Sequence, residues 1–252
     1  SSELPPKGAS MSKKLWGGRF SKKTDPLVEE FTKSIQYDYK LAKYDVLGSM
    51  YHINVLKRAS IISSLEFKKL YKGLSNISKE IQSNKFKPDG KSEDIHTDIQ
   101  NRLERAVGPV ALKLHTARSR NEQVVFDTKV YCVHTGCEVG KLIAKLVKQI
   151  NYLSKNNKDI ILPGYTHMQH AQPVALEKYI SAYVEMLKRD KKRIDNAIHA
   201  INYPIGSGAL AGTMIERKLY DDAAKVTVNR SQHPFIAFTE NTIDAVSDRD
   251  FV

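Results

Sequence analysis

Several things are scarce in this sequence, and each scarcity narrows what the protein does. Cysteine occurs only at Cys132 and Cys137. Their spacing is neither that of a zinc pair nor one that stacks them on one helical face, so reduced thiols are expected rather than a disulfide or a metal. No hydrophobic run approaches the ~18 residues of a membrane span, which excludes a membrane partner. There is no phosphate-binding glycine loop, no strictly alternating strand pattern and no repeat, and tryptophan is confined to Trp16. Acidic residues are the minority, 28 against 40 lysines and arginines, giving a net charge of +12. Such a balance raises nucleic acids or acidic small molecules as partners. The lysines are dispersed, as at Lys68-Lys69 and Lys191-Lys192. No dense basic block sits beside aromatics as a single-strand binder requires, so no nucleic-acid partner is expected.

What remains is helical. Asp25-Pro26 starts a helix with Leu27, Phe31 and Ile35 on its apolar face. Residues 41–59 form an amphipathic helix through Leu41, Val46, Met50, Ile53 and Leu56. The pattern repeats over 63–83, where Ser63 and Glu66 are placed for a capping box. Ser92 opens a further helix carrying Ile95, Ile99 and Leu103, ended by Gly108-Pro109. Apolar residues then recur at threes, fours and sevens from Asn121 to about Asn156. At ~1.5 Å per residue that helix spans roughly 50 Å, a length that fits an extended bundle. Gly136 and Gly140 inside it point to tight packing. Residues 163–173 read as a polar connection, 173–202 as a second long helix, 204–213 as a glycine-rich loop, 216–225 as a short helix and 241–252 as a further one. The fold class is all-α.

Two stretches carry the chemistry. Residues 115–123 (HTARSRNEQ) place Arg118, Ser119, Arg120 and Asn121 directly before the long helix. Arg118 and Arg120 each offer a planar fork of donors to a carboxylate, and Ser119 or Asn121 can cap the helix while its free amides add positive potential. A basic helix cap with solvated arginines is the competing reading. Residues 164–173 (GYTHMQHAQP) bring Thr166, His167 and Gln169 into one loop. His167 and His170 are three apart, but no carboxylate or third histidine lies beside them, so an acid/base histidine fits better than a metal ligand. A polar loop with surface histidines is the alternative. A dicarboxylate-sized donor set together with a histidine suggests proton abstraction beside a carboxylate and loss of a leaving group, a β-elimination.

These motifs, with LWGGRF at 15–20, EDIHT at 93–97, GSGALAGT at 206–213 and SDRDFV at 247–252, closely resemble argininosuccinate lyase over almost everything after Met11. The resemblance implies a cytoplasmic homotetramer whose active sites are shared between subunits, and reversible cleavage of argininosuccinate to arginine and fumarate without cofactor or metal. It implies His167 as the catalytic histidine and Ser34, Arg120, Asn121 and Thr166 as substrate-binding residues. Asp38 and Asp94 would lie near the substrate's cationic end, and Arg118 and Ser119 would flank the anchor. Glu122 departs from the family's aspartate. The Ser-Ser-x-Met-Pro-x-Lys-x-Asn loop, which supplies the serine regarded as the base, does not occur in these 252 residues. The expectation is therefore the N-terminal part of such an enzyme, with negligible activity on its own. Residues 1–11 are a leader or cloning remnant, 12–118 a small N-terminal helical domain, and 119–252 an incomplete, truncated bundle of long helices. Another fumarate-releasing lyase of the superfamily, or a silent crystallin-like structural relative, is the alternative.

Overall fold

The computed structural model describes residues 25–227 and 240–252. The Trp16 segment and Met11 lie outside the described residues. The chain divides into two compact units, one formed by the described residues of 1–127 and 204–228, the other by those of 128–203 and 229–252.

In the first unit, Asp25 caps α1 (Pro26–Thr32) through the Leu27 amide at 2.8 Å, with Pro26 where its missing N–H is not needed. The chain leaves the helix at Lys33 and re-enters a single turn, α2 (Ile35–Asp38), so the expected apolar face is broken. Ile35 is buried while Leu27 and Phe31 are exposed. Helix α3 (Ala42–Arg58) departs further from expectation. It is not amphipathic but buried on nearly every side, and Asp45, Ser49 and His52 are buried along with Val46, Ile53, Val55 and Leu56. Helix α4 (Ser64–Gln82) starts at the expected capping box: Ser63 Oγ accepts from the Glu66 amide at 3.2 Å, and Glu66 Oε2 accepts from the Ser63 amide at 2.8 Å. Helix α5 (Ile95–Val107) is capped by Asp94 rather than begun at Ser92. Leu70, Leu74 and Ile77 of α4 join Ile95, Ile99 and Leu103 of α5 and the inner face of α3 in one hydrophobic core. A 3-10 segment, Gly108–His115, leads toward helix α6 (Arg120–Asn156). After the 204–213 loop, α8 (Arg217–Thr227) packs on α3, with Tyr51 Oη donating to the Tyr220 carbonyl at 2.7 Å.

In the second unit, the remainder of α6 is followed by a β-hairpin, β1 (Ile161–Thr166) and β2 (Gln169–Ala175), where sequence reading expects an irregular connection. Pro163 and Pro173 face each other across the ladder, and the register shifts between Pro163 and Tyr165. Prolines and a glycine in so short a run hide the strand pattern. Gly164 is required where it stands, because a Cβ there would lie 2.5 Å from the Gln172 carbonyl oxygen. Since β2 runs through Ala175, helix α7 (Leu176–His199) begins three residues later than Pro173. Of the two expected close-packing glycines, Gly136 meets the condition: a Cβ would lie 2.7 Å from Ile198 Cδ1. At Gly140 nothing comes nearer than 4.0 Å. The last helix, α9 (Thr242–Ser247), is capped by Asn241 and stops well before Val252. Asp248 leaves the helix to accept from the buried Lys129 Nζ at 2.7 Å, which also donates to the Asn202 carbonyl at 2.9 Å. The described residues are therefore all-α apart from one two-stranded sheet, and none of their helices is long and apolar enough to cross a membrane.

Candidate active site

The stretch 115–123 is shaped by one left-handed residue, Ala117 at φ +54°, which turns the chain from the 3-10 segment into α6. Ser119 is the cap. Its Oγ accepts from the Asn121 amide at 3.2 Å, while Glu122 Oε1 accepts from the Ser119 amide at 3.2 Å. Arg118 points inward, donating to Ser49 Oγ of α3 at 2.9 Å.

Beneath the stretch lies a polar centre with Asp45 at its middle. His96 Nδ1 and Gln123 Nε2 both lie 2.5 Å from Asp45 Oδ2. Asp127 Oδ2 is 3.4 Å from the same His96 nitrogen. All four side chains are buried. Burial pushes the Asp45 carboxyl up, but the hydrogen bonds from His96 and Gln123 and the charge of Arg118 outweigh it and bring it below the usual range. Asp127 goes the other way, raised well above that range by burial and by the neighbouring Asp45 charge. Two nearby histidines stay neutral. Burial, then the positive charge of Arg118, pushes His52 down to about 3 and His115 down to about 4. Asp45, His96 and Asp127 form the group among the described residues that could hold a metal ion, their ligand atoms lying within 4.8 Å of one another. The cation of Arg118 already supplies countercharge to both acids, and the His96–Asp45 contact is a hydrogen bond. Asp45 Oδ1 and both Asp127 oxygens are buried without a hydrogen-bond partner.

Five of the residues named from sequence lie in this unit, four of them in two hydrogen-bonded pairs. Ser34 Oγ donates to Asp38 Oδ2 at 2.6 Å, and Asp38 Oδ1 accepts from the Ile95 amide at 3.1 Å. The amides of Ser34 and Ile35 both donate to the Glu93 carbonyl, fastening α2 to the start of α5. Asp94 performs two tasks. It caps α5 through the Thr97 amide at 2.7 Å, and both of its oxygens accept from one Arg120 nitrogen, at 2.9 and 2.7 Å. Asn121, next to Arg120 and exposed, donates from Nδ2 to the Ala209 carbonyl at 3.1 Å. Burial raises the Asp38 carboxyl, while the Arg120 charge and its other partners bring Asp94 below its usual value against burial. Thr166 and His167 are not part of this set. They stand exposed at the tip of the hairpin in the second unit, and His167 and Met168 take φ of +52° and +61°, as a two-residue hairpin turn demands. Neither is a glycine or asparagine, so the backbone is strained at the histidine.

Sequence reading did not find Asp45, Ser49, His52, Gln123 and Asp127. A signal existed for three of them. Asp45, Ser49 and His52 fall at i, i+4 and i+7 of α3, a polar stripe on a helix otherwise rich in apolar residues.

A family model described as a lyase matches residues 18–252. This chain belongs to the lyase family. Among the curated relatives of this lyase, the argininosuccinate lyase of Clostridium tetani is 42% identical over 240 residues, covering 95% of this chain and 53% of that protein. That of Heliobacterium mobile is 41% identical over 242 residues, covering 96% and 51%. The chain thus spans about half the length of the curated relatives it matches. Among solved structures, an EDDS lyase in complex with formate superposes with a TM-score of 0.70 at 22% identity over 85% of this chain and 41% of the other. A Brucella melitensis protein described as fumarate lyase:delta crystallin, bound to cobalt, gives 0.70 at 14% identity over 93% and 53%. At those identities the superpositions establish the fold of the chain and nothing finer.

Proposed function

We propose that this lyase is an argininosuccinate lyase, releasing arginine and fumarate reversibly as a cytoplasmic homotetramer. One observation carries the reading: the start of α5 gathers two hydrogen-bonded pairs from three distant stretches, Ser34 with Asp38, which also accepts from the Ile95 amide, and Asp94 with Arg120, and Asn121 follows Arg120 in the chain. The ~40% identity to curated argininosuccinate lyases along nearly the whole chain supports the choice of substrate. In the reaction a base removes the proton from the succinyl carbon next to one carboxylate, whose oxygens take up the electron pair. That pair forms the C=C bond of fumarate as the C–N bond breaks, and the departing guanidino nitrogen keeps its electrons and takes a proton.

Arg120 spends one nitrogen on Asp94, and its other N–H groups are left to anchor a substrate carboxylate. Because Asp94 is committed to Arg120 and to the α5 cap, its part is to aim the arginine rather than to meet the substrate's cation. Ser34 has given its proton to Asp38, so its oxygen accepts from a substrate N–H. Asn121 and Thr166 supply further hydrogen bonds, and His167 relays or donates the proton. Its strained position at an exposed tip suits a group that must reach into a site formed with other subunits. The serine base of the resembling family would come from outside these 252 residues, and the chain by itself would be nearly inactive. Association is supported by exposed apolar residues on α6 (Leu142, Leu146, Leu153) and α7 (Tyr179, Tyr183, Met186). Light scattering that returned a stable monomer would contradict it.

The test is fumarate release, followed by ultraviolet absorbance, from a full-length form of the protein offered argininosuccinate, adenylosuccinate, malate and aspartate in turn. Turnover confined to argininosuccinate, and reduced at least about a hundredfold by His167→Asn, is expected. Preference for another of the four substrates, or no turnover at all, would overturn the assignment.

A further inference from the structure

Neither the polar centre nor the substrate-facing set includes Glu122. This residue is 2% exposed, yet its carboxylate receives three backbone amides from two parts of the chain. Oε1 accepts from Ser119 at 3.2 Å, while Oε2 accepts from Gly206 at 2.9 Å and Gly208 at 3.0 Å. The 204–213 loop is built to make that contact. Gly206 and Gly208 adopt φ of +93° and +58°, which turns their N–H groups toward one point, as in the amide concavities that bind anions. Neither tolerates a side chain. A Cβ on Gly208 would lie 2.8 Å from the Gly212 carbonyl oxygen, and one on Gly206 would press on the Tyr220 ring at 3.4 Å. The loop closes on itself through Gly212 N to Ser207 O at 2.8 Å, and Thr213 bonds the Tyr220 hydroxyl at 2.9 Å. From this loop the Ala209 carbonyl reaches the substrate-facing set, accepting from Asn121 Nδ2.

We propose that Glu122 is a positioning residue, whose carboxylate pins the 204–213 loop to the Ser119 cap and thereby sets the direction in which Asn121, and Arg120 beside it, offer donors to the substrate. The carboxylate acts through the loop. Once Gly206 and Gly208 are held, Ala209 occupies one place, and Asn121 has one orientation in which to satisfy it. An aspartate, shorter by one bond of about 1.5 Å, cannot serve Ser119 and both glycines together. A glutamine keeps the length but turns one of its ends into a donor facing donors.

The staple depends on charge. The groups facing Glu122 are Arg118 of the preceding loop, Tyr51 and His52 of α3, Asp127 of α6 and Tyr220 of α8. Burial outweighs the amides and Arg118 and pushes its pKa up to about 7. Above pH 7 the ionised group accepts from all three amides. As the pH falls through 7, one oxygen gains a proton and its hold on the loop weakens.

The inference concerns the site under the lyase reading, and its test has one arm that does not depend on that reading. Amide exchange at Gly206 and Gly208 and the side-chain NH2 resonances of Asn121 are measured by NMR in the full-length protein, alongside kcat and KM for argininosuccinate, for wild type, E122Q and E122D. After correction for intrinsic rates, wild-type protection at the two glycines is expected to fall between pH 8 and 6. E122Q should lose about tenfold in protection, lose its pH dependence and shift the Asn121 resonances. Its KM should rise about fivefold or more, with the acid limb of kcat/KM near pH 7 flattened, and E122D should lie between. Unchanged protection and unchanged Asn121 resonances in E122Q overturn the staple. Changed protection with unchanged KM and pH profile overturns its positioning role. A wild type that leaves argininosuccinate untouched refutes the lyase reading, and the exchange and resonance data still decide whether Glu122 sets Asn121. Should E122Q not fold by circular dichroism, E122D decides the same measurements.

Discussion

Replacing Asp94 separates two tasks that one carboxylate performs. As the cap of α5 it accepts from the Thr97 amide, and losing such a cap costs about 1 kcal/mol. As the partner of Arg120 it offers both oxygens to one nitrogen, with the two side chains 20% and 31% exposed. That burial lies between the exposed pairs worth about 0–1 kcal/mol and the buried pairs whose breakage costs about 3–5, so roughly 1–2 kcal/mol is expected. Asp94→Ala should therefore cost about 2–3 kcal/mol in urea unfolding at pH 7, and Asp94→Asn, which can still cap, about 1–2. An Asp94→Asn, Arg120→Gln double-mutant cycle should return a coupling of about 1 kcal/mol. The pH dependence has a definite sign. The folded pKa of Asp94 is depressed from 3.8, so its contribution is present above that value and lost as the pH falls through the folded value. The gap between wild type and Asp94→Asn should close in strong acid. If Asp94→Asn unfolded within about 0.5 kcal/mol of wild type with no coupling to Arg120, the pair would be ornamental and Arg120 would be held by something else.

Four further outcomes follow from the packing and charges. Gly48→Ala should destabilise by about 1–3 kcal/mol in denaturant despite its gain in helix propensity, because the new methyl would sit 2.9 Å from the Phe126 ring, and thermal unfolding reads the loss. His52 donates Nε2–H to the Thr116 carbonyl and stays neutral to about pH 3, so below its unfolded pKa of about 6.5 the unfolded chain binds the extra proton and stability falls as the pH falls. His52→Gln should remove about 1.4 kcal/mol per pH unit of that slope between pH 6 and 4. Glu122 acts in the opposite sense, since a folded pKa of about 7 gives stability that is full below 4.5 and lost as the pH rises through 7. Lys129→Met should leave Asp248 and the Asn202 carbonyl without their donor, cost about 2–4 kcal/mol and free the 247–252 segment, seen as faster amide exchange there.

Much of the helical framework, and some residues of the candidate site, were readable from the sequence alone, because the signals concerned are local. The Ser63 and Glu66 capping box, the Asp25-Pro26 start and the long apolar period after Asn121 depend on neighbours within a turn or two, and all are present. The arginines, serine and asparagine at 118–121 read by composition as an anion anchor, while the structure turns Arg118 inward to Ser49 and pairs Arg120 with Asp94. The hairpin at 161–175 was hidden because its prolines and Gly164 suppress the strand pattern, and a cross-strand pairing has no local signature. Tertiary structure alone decided that α3 is buried on its polar stripe too, which sets Asp45 and Asp127 side by side and pushes their carboxyls in opposite directions. It also decided that Asp94 faces Arg120, and that Glu122 reaches two glycine amides 84 and 86 positions away. Residue identity sets what a side chain can donate, accept or ionise. Which groups meet, and how much water is left between them, depends on segments that only folding brings together, and there the charge states and the aim of this site are determined.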